Sequence, residues 1–180
     1  DAVIIATGSA AGGKIASDGG YTLLKQFGHP IVPAFPAIAQ IKTETDIVRQ
    51  LKGIKINAEA TVLVNSKPVR SEYGEVLFCD YGLSGPPVLQ LSRVVSQFPG
   101  KTEITLDLMP DFKQNEVEDL LAERKKLLYN RVAGEFFTGL INKRLGQVLC
   151  KLSGLSINDS TADLDTKKLA ALIKSLKFKA

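Results

Sequence analysis

The sequence predicts an α+β fold: a small antiparallel β-barrel followed by a helical subdomain, with a short strand-loop-helix unit ahead of both. Three patterns predict it. From Ile54 to Val64 apolar and polar residues alternate with the period of a half-buried strand. After Pro110 the apolar residues recur at helical spacing instead. At the start, the apolar run Val3-Ile4-Ile5-Ala6 runs into a glycine-rich loop.

Taken in order, Val3 to Ala6 has the uninterrupted apolar character of a strand covered on both faces, and residues 7 to 13 form a flexible loop after it. Asp18 is placed to cap a helix running to about Phe27, with Tyr21, Leu23, Leu24 and Phe27 as its apolar positions and Gly28 as its stop. Pro30, Pro33 and Pro36 bar regular helix between His29 and Ala37, and this is where the domain junction is expected. The expected division is 1–37, 38–110 for the barrel and 111–180 for the helical part.

In the barrel part, Ile54, Ile56, Ala58, Ala60, Val62 and Val64 face one side of a long strand, and Asn65-Ser66-Lys67-Pro68 reads as a turn. Glu75 to Cys79 returns, and Ile104, Leu106 and Leu108 alternate in a later strand. Between these lies a helix with the stripe Val88, Leu91, Val94, Val95 and Phe98, opened by prolines and capped by Ser84, and placed to plug one end of the barrel.

The helical part reads as three helices. The first has Asn115 and Glu118 at capping-box spacing and the stripe Val117, Leu120, Leu121, Leu127 and Leu128. The second is expected over about Arg131 to Cys150, burying Val132, Phe136, Phe137, Leu140, Ile141, Leu145 and Val148. The third starts near Thr166, with Leu169, Leu172, Ile173 and Leu176 on its apolar face.

With 44% hydrophobic and 23% charged residues, 180 residues suffice to bury a core and exclude a disordered chain. The formal charge of +4 does not gather into a basic run; Arg124-Lys125-Lys126 sits beside Glu118, Asp119 and Glu123 and reads as a solvated helix face, so no nucleic-acid partner is expected. Cys79 and Cys150 lack the spacing of a metal site or redox pair. No apolar run is long enough for a membrane helix, and the expected location is the cytoplasm. The chain opens directly on a strand without an initiator methionine, as expected of a segment of a longer protein.

Gly8 to Gly13-Lys14 matches the opening of a phosphate loop, but Ile15 stands where the magnesium-binding Ser or Thr belongs, and Asp107 lies in an alternating strand, not at the end of an apolar one. A nucleotide hydrolase is therefore disfavoured. The same glycines suit a turn through which backbone approaches a dinucleotide. His29, the single histidine, sits between a helix-ending glycine and a proline, where capping or packing explains it better than acid-base work. Tyr81, Gly82, Ser84 and Gly85 are candidates to line a substrate pocket through their backbone amides, with Ser84 either helix cap or ligand.

Several of these stretches resemble one family. Val3 to Gly8, Ser17-Asp18-Gly19-Gly20-Tyr21, Phe27-Gly28-His29 and Pro36-Ala37 are similar to the second flavin-contacting stretch of the BaiN-like, or YhiN-like, bacterial flavoproteins. Leu77 to Arg93, with its core Asp80-Tyr81-Gly82-Leu83-Ser84-Gly85-Pro86-Pro87, resembles that family's most distinctive signature. The resemblance implies an FAD-dependent, NAD(P)-linked or oxygen-linked oxidoreductase into which a part-barrel, part-helical domain is inserted. It implies FAD contacts at Thr7, Gly8, Ser9, Asp18, Gly19, Gly20 and Tyr21, and a lid and pocket wall for a small-molecule substrate in the rest. Family members carry two glycines where this chain has Gly8-Ser9, and the first G-x-G-x-x-G fingerprint and a C-terminal glycine-rich stretch are missing, so this segment alone is expected neither to hold FAD nor to be active. A protein- or RNA-interaction module is the alternative, and the basic balance is its support.

Overall fold

The computed structural model describes residues 2–8, 11 and 20–180. The chain divides into two compact units, Asp1–Ala34 and Phe35–Ala180.

In the first unit, residues 2–8 pair with no other described strand, and Val3 and Ile4 are exposed. A strand covered on both faces needs sheet neighbours, and none of the described strands of this chain supplies them. The helix α1 spans Tyr21–Gln26 and buries none of its side chains. Gly20 stands at its N-cap with φ 73°, while Asp18, the expected cap, lies outside the described residues. Gly28, at φ 80°, ends the helix as expected. The backbone N–H of His29 then donates to the Leu24 carbonyl. Its role is thus a backbone cap, and its side chain is exposed.

The second unit runs β1 (Ile41–Lys42), α2 (Thr45–Gln50), β2 (Lys55–Val64), β3 (Lys67–Cys79), β4 (Gly82–Ser84), α3 (Pro86–Gln97), β5 (Thr102–Asp107), α4 (Gln114–Leu127), α5 (Lys143–Ser153), α6 (Thr166–Lys174) and β6 (Leu176–Lys179). Its strands form one antiparallel six-stranded sheet in the order β1-β4-β3-β2-β5-β6. The sheet curls until its edges touch. Just past β1, the Glu44 N–H donates to the Lys179 carbonyl of β6 at 3.1 Å, and the two side chains form an ion pair at 3.4 Å. This is the curled half-barrel that the alternating strands predict.

The long hairpin of β2 and β3 shows why the curl is possible. Asn65 and Ser66 take φ of 49° and 63°, the two left-handed positions of a type I′ hairpin turn, which asparagine tolerates at little cost. Pro68, expected in the turn, is already in β3 opposite Leu63; the next pair is Val62 with Arg70, which leaves Val69 as a bulge residue. A proline without an N–H is tolerated beside such an irregularity, and the bulge adds twist.

Ala58, Ala60 and Val62 of β2, Val76 and Phe78 of β3, Ile104 and Leu106 of β5, and Leu176 and Phe178 of β6 are buried in the core. α3 packs across β1 to β4 through Val88 and Leu91, which are fully buried. Full burial of such a side chain stabilises by about 1.5–3 kcal/mol.

Several sequence expectations change in detail. Ser84 is not the cap of α3: it is a buried β4 residue paired with Leu77, and Gly85 at φ 103° holds the N-cap position without a side-chain hydrogen bond. The first turn of α4 is closed two residues earlier than expected, where the Glu116 carboxylate accepts from the Lys113 N–H at 2.7 Å. Along α4 only Val117 and Leu121 are buried, and Leu127 is 82% exposed. The single helix expected over 131–150 is broken: a 3-10 turn at Ala133–Glu135 is followed by Gly139 at φ 81°, and α5 starts only after Asn142, whose Oδ1 accepts from Arg144 and Leu145 N–H. The side chains expected inside nonetheless include Phe136, Phe137, Leu145 and Val148, all buried, because hydrophobic burial and helical period are separate signals. Leu176 belongs to β6 instead of α6, and that strand takes the chain back to the edge of the sheet.

The helical layer is tied to the sheet at Lys174. Its Nζ pairs with Asp107 at 2.6 Å, both side chains being under a fifth exposed, and also donates to the carbonyls of Met109 and Phe112. Asp107 also accepts from the Met109 N–H through Oδ1. The aspartate that failed as a phosphate-loop metal ligand is thus an anchor of the β5–α4 connection.

Candidate functional site

Two groups of residues carry the sequence resemblance, one in each unit. In the first, Thr7 and Gly20 lie side by side although thirteen positions separate them in the chain: a Cβ on Gly20 would fall 3.0 Å from Thr7 Oγ1 and 3.0 Å from Ile5 Cγ2. Gly8 has φ 79°, and a Cβ there would meet nothing within 4 Å among the described residues. The end of the apolar run and the start of α1 therefore adjoin at a point where both chain segments use left-handed glycine. Tyr21 opens the helix. Gly20 has no room for a side chain there, and the backbone at Gly8 is bare, both of which a dinucleotide cofactor's approach would use. Ser9, Asp18 and Gly19, and Lys14 and Ile15 of the failed phosphate loop, lie outside the described residues.

In the second unit, the signature begins where β3 ends and reverses through Asp80 and Tyr81 into β4, with Cys79 paired to Gly82. The fold places its members differently. Gly82 and Ser84 are buried, Gly85 is half-buried, and the two glycines are pressed against backbone: a Cβ would stand 2.0 Å from the Ile41 carbonyl oxygen at Gly82 and 2.1 Å from that of Glu75 at Gly85. Tyr81 is the candidate with a polar side chain at the accessible edge. Its hydroxyl donates to Gln40 Oε1. The neighbouring Cys79 thiol, hydrogen-bonded to that hydroxyl, raises the tyrosine's pKa above its ordinary value, with burial and the Asp80 charge acting the same way.

Asp80, between them, is held below the usual carboxylate range by Lys52, which donates to it at 2.7 Å. Both partners are exposed, so solvent screens this pair heavily. The sequence does not single out Gln40, and it presents Cys79 as a strand end, an unpaired cysteine and part of the signature, not as a neighbour of the Tyr81 hydroxyl. The signal available was that Cys79 stands two residues before Tyr81 across a tight reversal, which returns both to one edge of the sheet. Among the described residues no group of three or more His, Cys, Asp or Glu side chains could hold a metal ion. Nor is any helix of those residues long and apolar enough to cross a membrane.

Comparison with known proteins matches this arrangement to a characterised architecture. Residues 35–179 match the family described as the HI0933-like protein barrel and H2TH domain. A 3-dehydro-bile acid delta(4,6)-reductase of Clostridium scindens is 29% identical over 98% of this chain and 44% of its own length. Two ribosomal RNA dihydrouridine synthases are also similar: that of Haemophilus influenzae at 29% identity over 79% of this chain and 34% of its own, and that of Escherichia coli at 28% over 97% and 42%. The chain thus spans less than half the length of each of these relatives.

Proposed function

The chain belongs to the HI0933-like, BaiN-like family of FAD-dependent oxidoreductases, and from that premise we propose that it is the inserted barrel-and-helix domain, with one flanking flavin-fold segment, of an NAD(P)-linked reductase. The observation that carries this reading is the similarity to the bile-acid reductase across nearly the whole chain, covering both the Thr7–Tyr21 stretch and the 77–93 signature. On this reading residues 1–37 are flavin-fold, 38–110 the barrel part and 111–180 the helical part of the insert, apart from β6, which returns to the barrel sheet, and the insert forms lid and pocket wall.

The names of the relatives share a chemistry. A delta(4,6)-reductase and a dihydrouridine synthase both saturate a carbon–carbon double bond, which takes a hydride at one carbon and a proton at the other. When bound, FAD would supply the hydride, with NAD(P)H as the reductant that the reading names. For this chain, Thr7, Gly8, Ser9, Asp18, Gly19, Gly20 and Tyr21 would hold the cofactor, and Tyr81, Gly82, Ser84 and Gly85 would shape the substrate side. Tyr81 is our proton donor: its hydroxyl keeps its proton through neutral pH, and Gln40 and Cys79 orient it.

The full-length protein tests this directly. It should purify yellow, with a flavin absorbance band, and oxidise NADPH or NADH when given a ring compound whose double bond is conjugated to a carbonyl. A colourless protein that takes up no added FAD refutes the reading. Tyr81→Phe should lower kcat by about 10²-fold, the usual scale for a positioned proton donor, while leaving flavin content unchanged; unchanged turnover in that variant removes Tyr81 from the chemistry without touching the family reading.

A second reading concerns the substrate. Two relatives are named for ribosomal RNA, and the chain's formal charge is +4, so RNA stands beside a small conjugated ketone as the double-bond acceptor. Trial of both acceptors with the same preparation separates them.

A further inference from the structure

The basic residues that look dispersed in sequence are gathered by the broken helix over 131–142. That break folds Arg131 and Lys143 around the end of α4, and together with Arg124, Leu128, Glu135 and Thr138 they line an open cleft of about 410 Å³. Three cations here face a single carboxylate. Glu135 reaches only Arg131, at 3.9 Å, and both of those side chains are more than half exposed. Arg124 is half-buried and held rigidly: its Nε donates to the Phe136 carbonyl, its Nη2 to the Thr138 carbonyl, and its guanidinium carbon stands 5.9 Å from the centre of the Phe136 ring. Those partners are neutral, so they position the charge without cancelling it. A fixed guanidinium flanked by two exposed cations is the donor set that recognises phosphate oxygens.

We propose that this cleft binds phosphate esters, with Arg124 as the fixed anchor and Arg131 and Lys143 closing on the ligand from either side. The chemistry has two sources in an enzyme of this class: the phosphodiester backbone of a polynucleotide, or the phosphates of a nicotinamide dinucleotide. An open, exposed cleft suits the first better, since a backbone passes through it and need not be enclosed. The site itself stands on geometry; only the choice of these two probes rests on the oxidoreductase reading.

The experiment uses the full-length protein and the double variant Arg131→Glu/Lys143→Glu, whose side chains are exposed and whose replacement leaves the core untouched. Lys67→Glu/Lys101→Glu, at two exposed lysines by the far hairpin, makes the same change in overall charge and is the control for it. One arm measures binding of a fluorescein-labelled polyuridine RNA against salt; the other measures KM for NADPH. The expected result is a loss of RNA affinity of at least tenfold in the double variant and none in the control. The log–log salt dependence should flatten by roughly 1.4, two phosphate contacts at about 0.7 each for a single strand. Arg131→Lys/Lys143→Arg should restore binding. A KM for NADPH that rises instead, with RNA affinity unmoved, supports the cleft and assigns it to the dinucleotide. If neither quantity moves while the protein still carries flavin and consumes NAD(P)H, the cleft proposal is overturned and the oxidoreductase reading stands; absence of flavin overturns the latter alone, because RNA binding is read without turnover.

Discussion

A Cβ at Gly82 would lie 2.0 Å from the Ile41 carbonyl oxygen and one at Gly85 2.1 Å from that of Glu75, whereas one at Gly8 would meet nothing within 4 Å among the described residues. All three glycines have positive φ, and all three fall in stretches that carry the family resemblance. In the 77–93 signature the protein's own backbone demands them, because β1 and β3 close against the strand with no room for a side chain. At Gly8 the described protein atoms leave room, and the reason for a bare backbone must be sought in the backbone angle or in a ligand. A distinctive motif can therefore record packing as easily as contact with substrate.

Replacing these glycines should break the two regions apart. Gly82→Ala is expected to destabilise the chain by about 3 kcal/mol or more, since the clash is with backbone and cannot be relieved by a rotamer change. Urea denaturation measures it, and a variant within about 0.5 kcal/mol of the parent would show that the strands can part at no cost, contrary to this account. Gly8→Ala should cost only about 1 kcal/mol, the strain of a left-handed alanine, yet reduce the flavin retained by the full-length protein severalfold. Equal stability losses at the two sites would erase the distinction.

Charged residues sharpen the same contrast. Lys174 is enclosed and meets Asp107 and two carbonyls, so Lys174→Met leaves an aspartate and two carbonyl oxygens without their partner and should cost about 2–3 kcal/mol. Lys52 pairs with Asp80 in the open, at the turn of the signature, and Lys52→Met should leave the denaturation midpoint where it was. A comparable loss in both would mean that the Asp80 turn is as much a part of the core as the β5–α4 junction.

How much of this is legible in the sequence depends on whether a signal is local. Alternation from Ile54 to Val64 and the stripe of α3 come from neighbours in the chain, and both elements stand where they are expected. The strand β6 is four residues of alternating character at the end of a helical stretch, and nothing local separates Leu176 from the face of α6; only pairing with β5 makes it a strand. The helix expected over 131–150 failed because its apolar residues have helical spacing, while Gly139 and Asn142 break it with signals that weigh one residue each. The basic cleft is illegible for the same reason: Arg124, Arg131 and Lys143 are brought together by that break. At the candidate site, the resemblance picks out Tyr81 and Gly82 alike, and only the register of β4 against β1 and β3 separates the accessible tyrosine from the buried glycine.

The two cysteines give the mildest test of interior against edge. Cys150 is fully buried, its thiol donating to the Ala133 carbonyl at 3.3 Å, and burial pushes its pKa up to about 11. The folded chain therefore holds that proton more tightly than the unfolded one, whose thiol titrates near 9.0. Below that value the thiol is protonated in both states and contributes no pH dependence; between it and about 11 the unfolded state binds fewer protons, so stability should fall as pH rises through this window. Cys150→Ala should abolish that part of the decline, and an unaltered alkaline profile in the variant would assign the loss to other groups. Cys79, half-buried beside Tyr81, provides the edge counterpart: near neutral pH a thiol reagent should modify it first and reach Cys150 only as the chain unfolds. Simultaneous modification of both would mean that α5 opens locally, and that the interior and the edge of this domain are less distinct than their burial implies.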